Sequence, residues 1–254
     1  MARRSKTATG PFIREVILKR DRVESFSRYP FNIPVVRSLE RLALHPKVTF
    51  FVGENGTGKS TLLEAIAVAW GFNAEGGTKN FTFATRTSHS SLSDYLTLAR
   101  PPSYPSNGYF LRAETYFNVA TEIERLDEDP EGGPPIIDSY GGISLHEQSH
   151  GESFFALFRN RLGPGGLYIF DEPEAALSPD RQLAILMRIH ELVRGGSQFI
   201  IASHSPIILA YPDAMIYSCT EEGIVETDYE DLDHFRLTKS FLSEPEQYLK
   251  RLLD

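Results

Sequence analysis

Cysteine is almost missing from this chain: Cys219 stands alone among 254 residues. A single thiol excludes an internal disulfide framework and a cysteine-rich zinc site, and it points to a reducing compartment, so a cytoplasmic protein is expected. Long apolar runs are missing too. None approaches the roughly 18 residues of a spanning helix, so any membrane role would need a partner that supplies the span. Arg3, Arg4 and Lys6 have no apolar stretch behind them; a secretory signal is not expected there, and residues 1–11 read as a flexible tail. Positive charge is in deficit. A net charge of −8 argues against broad non-specific binding of nucleic acid and leaves only a local patch, such as Arg3, Arg4, Lys19, Arg20 and Arg22, to do it. The rest of the composition, 41% hydrophobic and 24% charged, is that of an ordinary soluble domain. The length fits one α/β domain, and the expectation is a single domain over 1–254 with a small helical or irregular insert over 73–148.

Against these absences one segment stands out. Gly53-Glu54-Asn55-Gly56-Thr57-Gly58-Lys59-Ser60 fits the phosphate-binding pattern G-x-x-x-x-G-K-[ST], and each fixed position has a reason. Glycines let the backbone curl until successive N–H groups face inward as an anion nest. A helix beginning at Ser60 and Thr61 adds its positive end. Lys59 reaches the β- and γ-phosphates, and the Ser60 hydroxyl is a magnesium ligand. Val48 to Val52 reads as the strand before it, and Thr61 to Trp70 as the helix after it. Gly53 to Thr61 are therefore the expected nucleoside triphosphate site.

Along the rest of the chain, Phe12 to Lys19 and Gly108 to Glu114 read as strands. Asn73 to Ser106 reads as irregular structure around a short helix from Leu92 to Leu98, and the acidic Glu124 to Pro135 as a mobile loop. Ser153 to Arg161 reads as a helix that Gly165 and Gly166 turn into the strand Leu167 to Phe170. Ser178 at the N-cap, Pro179 behind it and Gly195-Gly196 at the far end bound another helix. Gln198 to Ala202 is the next strand, and Ser243 with Glu246 reads as a capping box for a last helix ending near Leu253. Continuous apolar strands separated by helices predict an α/β fold with a mainly parallel sheet covered on both faces, and chemistry at the carboxyl ends of its strands.

Two carboxylates end one such strand. Asp171 is placed at the sheet rim to hold Mg²⁺ directly or through water, while Glu172 points elsewhere and is free to act as base on the attacking water. His204 follows the strand Phe199 to Ala202, where an imidazole could donate to a γ-phosphate oxygen.

Taken together, these residues resemble a family. Asp171-Glu172-Pro173-Glu174-Ala175-Ala176-Leu177-Ser178 looks like the Walker B and D-loop segment of the ABC-type ATPases, and His204 looks like their switch histidine. Gln148-Ser149-His150-Gly151-Glu152 resembles their signature sequence, with His150 in place of the usual glycine and Glu152 in place of the glutamine of transporters. The resemblance runs from about Phe12 to Pro206 and is closest to small stand-alone bacterial AAA/ABC-type ATPases. It implies a P-loop NTPase fold of ABC-ATPase type with an N-terminal antiparallel strand region. It further implies ATP as substrate with Mg²⁺, catalytic roles for Lys59, Glu172 and His204, and a homodimer in which Ser149 and Gly151 cap the γ-phosphate bound to the other subunit. An N-capped helix with nothing bound is the competing reading of the signature-like segment. No glutamine occurs between Lys59 and Gln148, so Glu114 is the candidate for the missing Q-loop residue and, with Ser60 and Asp171, for the metal; a plain Arg112–Glu114 pair is the alternative. Phe26, Tyr29 and Phe31 all qualify to stack on adenine, with Tyr29 preferred. The interval between Ser60 and Ser149 is too short for a long coiled coil. Three functions stay open: a switch-like ATPase, the energising subunit of a membrane transporter, and a nucleic-acid-linked sensor in repair or defence.

Overall fold

The computed structural model describes residues 10–79, 90–128 and 133–253, so Arg3, Arg4 and Lys6 and part of the Glu124–Pro135 segment lie outside it. In chain order the regular elements are β1 (Glu15–Leu18), α1 (Pro34–Ser38), β2 (Arg41–Ala43), β3 (Val48–Gly53) and α2 (Lys59–Trp70). Next come β4 (Leu96–Ala99), β5 (Asn107–Arg112), α3 (Tyr116–Asp127), α4 (His150–Ala156) and β6 (Gly166–Asp171). The last third holds α5 (Pro179–Arg194), β7 (Gln198–Ala202), α6 (Pro206–Leu209), β8 (Met215–Thr220), β9 (Gly223–Glu226), α7 (Asp233–Ser243) and α8 (Pro245–Leu253). Among the described residues no helix is long and apolar enough to cross a membrane.

Six strands form the central sheet in the order β5-β6-β7-β3-β8-β9, parallel except for the last pair. A smaller antiparallel sheet, β2-β1-β4, packs beside it. The fold is α/β and mainly parallel, as the strand pattern predicts. Its apolar runs are continuous because both faces of the sheet are buried. Val48, Phe50, Val52, Tyr168, Phe170, Phe199 and Ile201 enter the core beneath α3, α4 and α5. Their neighbours Phe51, Leu167, Ile169, Ile200 and Ala202 point the other way, into the core shared with α2 and the antiparallel sheet. The period-two alternation of a strand thus feeds two cores. One polar residue interrupts it. Gln198 is fully buried, but its carbonyl accepts from the Phe12 and Ile13 N–H groups and its amide donates to the Ile13 and His45 carbonyls, which ties the N-terminal segment to β7.

Three local expectations are corrected. Leu92 to Leu98 is not a helix: a 3-10 turn over Ser91–Tyr95 leads into β4, whose Leu96 and Leu98 face β1 in an antiparallel ladder. Tertiary pairing overrides a seven-residue helical pattern here, because so short a helix gains little on its own. Glu124 to Asp127 belongs to α3, which Val119, Ala120 and Ile123 hold against the core at helical spacing. Ser243 ends α7 rather than capping α8, which starts at Pro245.

Candidate functional site

Register brings the predicted residues to one rim. Arg112 pairs with Asp171 across β5 and β6, Asp171 with Ala202 across β6 and β7, and Phe51 with Ala202 across β7 and β3. The carboxyl ends of four neighbouring strands are therefore level, and the segments that follow them meet.

β3 ends in the glycine loop. Gly53 and Gly58 have φ of +152° and +102°, and a Cβ on either would lie 2.1 Å from the Cys219 carbonyl oxygen or 2.2 Å from the Ile33 side chain. Both positions demand glycine for conformation and for space. The loop closes on Lys59, whose buried ammonium donates to the Gly53 and Glu54 carbonyls at 2.6 and 2.9 Å. Burial lowers its pKa, against the opposing pull of nearby groups that include Glu172 and Asp171. Ser60, at the second position of α2, donates its hydroxyl to Asp171 Oδ1 at 3.1 Å across 111 residues of sequence.

Asp171 is buried, and its carboxyl is pushed up to about 6, chiefly by desolvation, while Arg112 and the Ser60 hydroxyl pull it down. Arg112 is a residue that the sequence reading underrated. Its guanidinium binds Glu64 at 2.6 Å, Glu114 at 3.5 Å and lies 3.9 Å from Asp171. The Arg112–Glu114 pair is present, but Arg112 itself is a half-buried hub, and its Nε has no hydrogen-bond partner. Glu114 extends from the turn after β5 with its side chain 82% exposed.

Glu172 takes a left-handed conformation (φ +54°), uncommon for a residue with a side chain. That turn sends it away from Asp171 toward His204, whose Nε2 lies 3.5 Å from Glu172 Oε1. The separation is an electrostatic contact rather than a hydrogen bond, and the buried Nε2 has no hydrogen-bond partner. On its other side, His204 Nδ1 is 3.5 Å from His234 Nε2, at the start of α7. Burial and the neighbouring Lys59 lower the His204 pKa, so the imidazole is neutral at pH 7. Glu174 holds this loop in place: one carboxylate oxygen accepts from the Ser203 hydroxyl and from the His204 and Ser205 N–H groups. Glu174 and His234 were missed because their partners lie thirty residues away; the only sequence signal was an acidic residue two places beyond Glu172.

A cavity of about 520 Å³ opens on part of the set, with Tyr29, Asn55, Gly56, Gly58, Lys59, Ser60, Thr61, Glu114 and Glu172 along its wall, while Asp171 and His204 are not among its lining residues. Of the three aromatic candidates, Phe31 is buried and packs edge-on against Phe26 and Tyr95, whereas Tyr29 is 64% exposed at the cavity. An apolar cavity of about 340 Å³ beside Phe155, Phe158 and Met187 lies elsewhere, and its Arg188 and Glu191 pair with each other at 2.8 Å. It has none of the convergent groups of the phosphate loop.

Ser149 and Gly151 are not part of this cavity. Ser149 is exposed at the N-cap of α4, and the Glu152 carboxylate accepts from its N–H at 3.0 Å and its hydroxyl at 2.5 Å. Gly151 is buried, and a Cβ there would lie 2.8 Å from the Ala176 carbonyl oxygen and 2.4 Å from the Arg181 side chain. Within one protomer the segment is an N-capped helix packed on the D-loop-like stretch.

Among the described residues no cluster of three or more His, Cys, Asp or Glu could hold a metal by itself. Ser60 and Asp171 fit Mg²⁺ nonetheless: they present hard oxygen donors 3.1 Å apart at the phosphate loop, and Mg²⁺ is commonly held by one or two such groups with substrate phosphates and water.

No curated protein matches the chain in sequence. Among solved structures, the SMC head domain from Thermotoga maritima is similar at 15% identity and TM-score 0.43, covering 86% of this chain and 100% of that one. A nucleotide-free ATP-binding cassette from an ABC transporter gives 19% identity and 0.44 over 81% and 88%. CbiO1 from Clostridium perfringens, part of the ABC transporter complex cbiONQ, gives 14% and 0.48 over 93% and 97%. Two family models match: "AAA domain" over residues 25–128, and "AAA domain, putative AbiEii toxin, Type IV TA system" over 138–210. One spans the phosphate loop and the other the carboxylate strand and the histidine; each covers less than half of the chain, and both support the fold of an AAA-type P-loop ATPase.

Proposed function

We propose that the chain, acting as one ABC-type ATPase domain, binds ATP with Mg²⁺ in the 520 Å³ cavity and hydrolyses it, and that two copies close on the nucleotide as a conformational switch. The carrying observation is the convergence of Lys59, Ser60, Asp171, Glu172 and His204 at level strand ends, with Ser60 and Asp171 already in contact.

Each residue has a defined task in this reading. The nest from Gly53 to Gly58 and the N-terminus of α2 cradle the phosphates, with Lys59 turned into the same loop. Ser60 and Asp171 hold the metal, with Glu114 at the cavity wall as a further candidate ligand; when bound, the metal neutralises charge on the β- and γ-phosphates. Glu172, half exposed and turned out by its left-handed backbone, takes a proton from the attacking water. Neutral His204 accepts at Nδ1 from His234 and presents its Nε2–H, which has no hydrogen-bond partner, to a γ-phosphate oxygen. Tyr29 stacks on the base. Ser149 and Gly151 meet the nucleotide of the second copy. That role requires the Ser149 hydroxyl to leave Glu152, a charge-assisted bond that the γ-phosphate must replace.

Light scattering with a non-hydrolysable ATP analogue and Mg²⁺ tests the dimer: the expected result is a doubling of mass, reversed by chelation. A protein that turns over ATP while remaining a monomer at all concentrations overturns it.

One observation favours a second reading. The model matched over 138–210 is described by a toxin–antitoxin system, which suits a defence-linked sensor better than a transporter subunit. Stimulation of the ATPase by nucleic acid separates the two.

A further inference from the structure

Far from the phosphate loop, at the other end of α2, lies a group of cations with no acid to answer them. Trp70 is the last residue of α2 and the only tryptophan in the chain. It stands about 17 Å from Lys59 along the helix axis, at 1.5 Å per residue. The Lys79 ammonium lies 4.6 Å and the Arg100 guanidinium 4.2 Å from the centroid of its ring. A polar cavity of about 250 Å³ opens there, walled by Trp70, Lys79, Tyr104, Asn107 and Arg161 among others. Asn107 begins β5, so this is the amino end of the sheet, opposite the rim that carries the nucleotide site.

The electrostatics are unbalanced. Among the described residues no carboxylate pairs with Lys79, Arg100 or Arg161, in a protein whose net charge is −8. Arg100 donates to the Ala69 carbonyl at 2.7 Å, and Arg161 makes neutral contacts, with the Asn107 side-chain oxygen at 3.5 Å and with the Tyr140 hydroxyl. Lys79 and Arg100 lean on the same indole, and burial together with the adjacent Arg100 charge makes the Lys79 ammonium easier to deprotonate. Cation–π contact stabilises each but neutralises neither charge. The Trp70 indole N–H is itself buried without an acceptor.

From this geometry we infer that the cavity at Trp70, Lys79 and Arg161, with Arg100 stacked on the Trp70 ring beside it, is a second anion site, separate from the nucleotide site, which takes a phosphate group on a ligand no larger than a single nucleotide. A phosphate supplies what is missing, with two negative charges near neutral pH and oxygens to accept from Lys79, Arg161 and the Asn107 amide. Tyr104, 71% exposed at the mouth, offers a ring face to a base attached to that phosphate. The cavity volume of about 250 Å³ sets the size limit.

Trp70 is a built-in reporter, since no other indole contributes to the emission. The full chain is titrated at constant ionic strength with inorganic phosphate and separately with uridine monophosphate, by tryptophan fluorescence and by calorimetry. The expected result is saturable binding that Lys79→Gln and Arg161→Gln each weaken about tenfold or more, the loss of one charge-assisted contact. Lys59→Ala is expected to leave it unchanged. Tighter binding of the monophosphate than of phosphate means that the base contributes; equal binding means that the phosphate alone is read. No saturable binding by either method overturns the inference. So does binding that both cavity variants retain, or binding that Lys59→Ala abolishes, which would place it at the phosphate loop.

Discussion

The phosphate-loop rim and the Ser149 segment carry two halves of one proposed machine, and they are built in opposite ways. At the rim, function and fold are the same contacts. Lys59 is buried on its own loop, Ser60 binds Asp171, and Arg112 braces Asp171 from behind while holding Glu64. At Ser149 the groups that would touch a phosphate are exposed or satisfied locally by Glu152, and the glycine is spent on packing against Ala176. A site completed within one chain can be assembled by folding alone. One that ends in a surface cap needs something brought to it, and the proposed partner is a second copy.

The sharpest way to strain this comparison is to remove the proposed base from the rim with the smallest change of shape. Glu172→Gln is expected to keep ATP binding and lower turnover about 10²–10⁴-fold, the usual worth of a general base. Single-turnover phosphate release measures it, and near-wild-type turnover removes Glu172 from that role. Next in size is Lys59→Ala. Loss of a buried ammonium at the phosphates should weaken nucleotide binding about 10- to 100-fold by calorimetry, through lost charge-assisted contacts.

Acid probes the same rim. Asp171 is pushed up to about 6, so the folded chain keeps its proton where the unfolded chain releases it near the ordinary aspartate value. For this group, folding stability is highest below about pH 4 and falls as pH rises to about 6, by roughly 3 kcal/mol at most. Ligand binding runs the other way. Metal and nucleotide need the ionised carboxylate, so Mg²⁺-dependent affinity should drop as pH falls below about 6. Melting curves of wild type and Asp171→Asn across that range check the first effect: the difference between them should change with pH. Titrations of Mg²⁺-ATP at pH 5.5 and 7.5 check the second.

How legible each half was follows from the range of its contacts. The glycine loop, the carboxylate pair and the order of strands are written in contiguous residues, each segment carrying its own geometry, and a reader of the sequence finds them. What holds them level is not contiguous. In sequence Glu174 is one more acidic residue after Glu172, yet it fixes the histidine loop from thirty residues away, and Arg112 looks like half of a surface pair with Glu114 although Glu64 and Asp171 claim it as well. β4 was read as helix because a strand of four residues shows no pattern until β1 lies beside it. At Ser149 the sequence allowed both a capped helix and a phosphate-binding segment; a single chain satisfies the first reading and leaves the second to a partner.

The smallest expected effect bears most directly on that choice. Ser149→Ala removes the hydroxyl that the partner's nucleotide would use, and it also weakens the cap of α4, a loss of about 1 kcal/mol. Glu152→Ala removes the other side of the capping box and leaves the hydroxyl. If the segment is only a cap, the two variants should lower stability alike and leave turnover alone. If it also meets a second copy, Ser149→Ala should lower turnover and nucleotide-dependent dimerisation about tenfold beyond Glu152→Ala, while ATP binding by the isolated protomer stays at the wild-type level. In Glu152→Ala the hydroxyl no longer has a carboxylate to leave, so dimerisation should be undiminished or tighter. A loss in one variant and none in the other, at two partners of one capping box, is what a helix cap alone cannot produce.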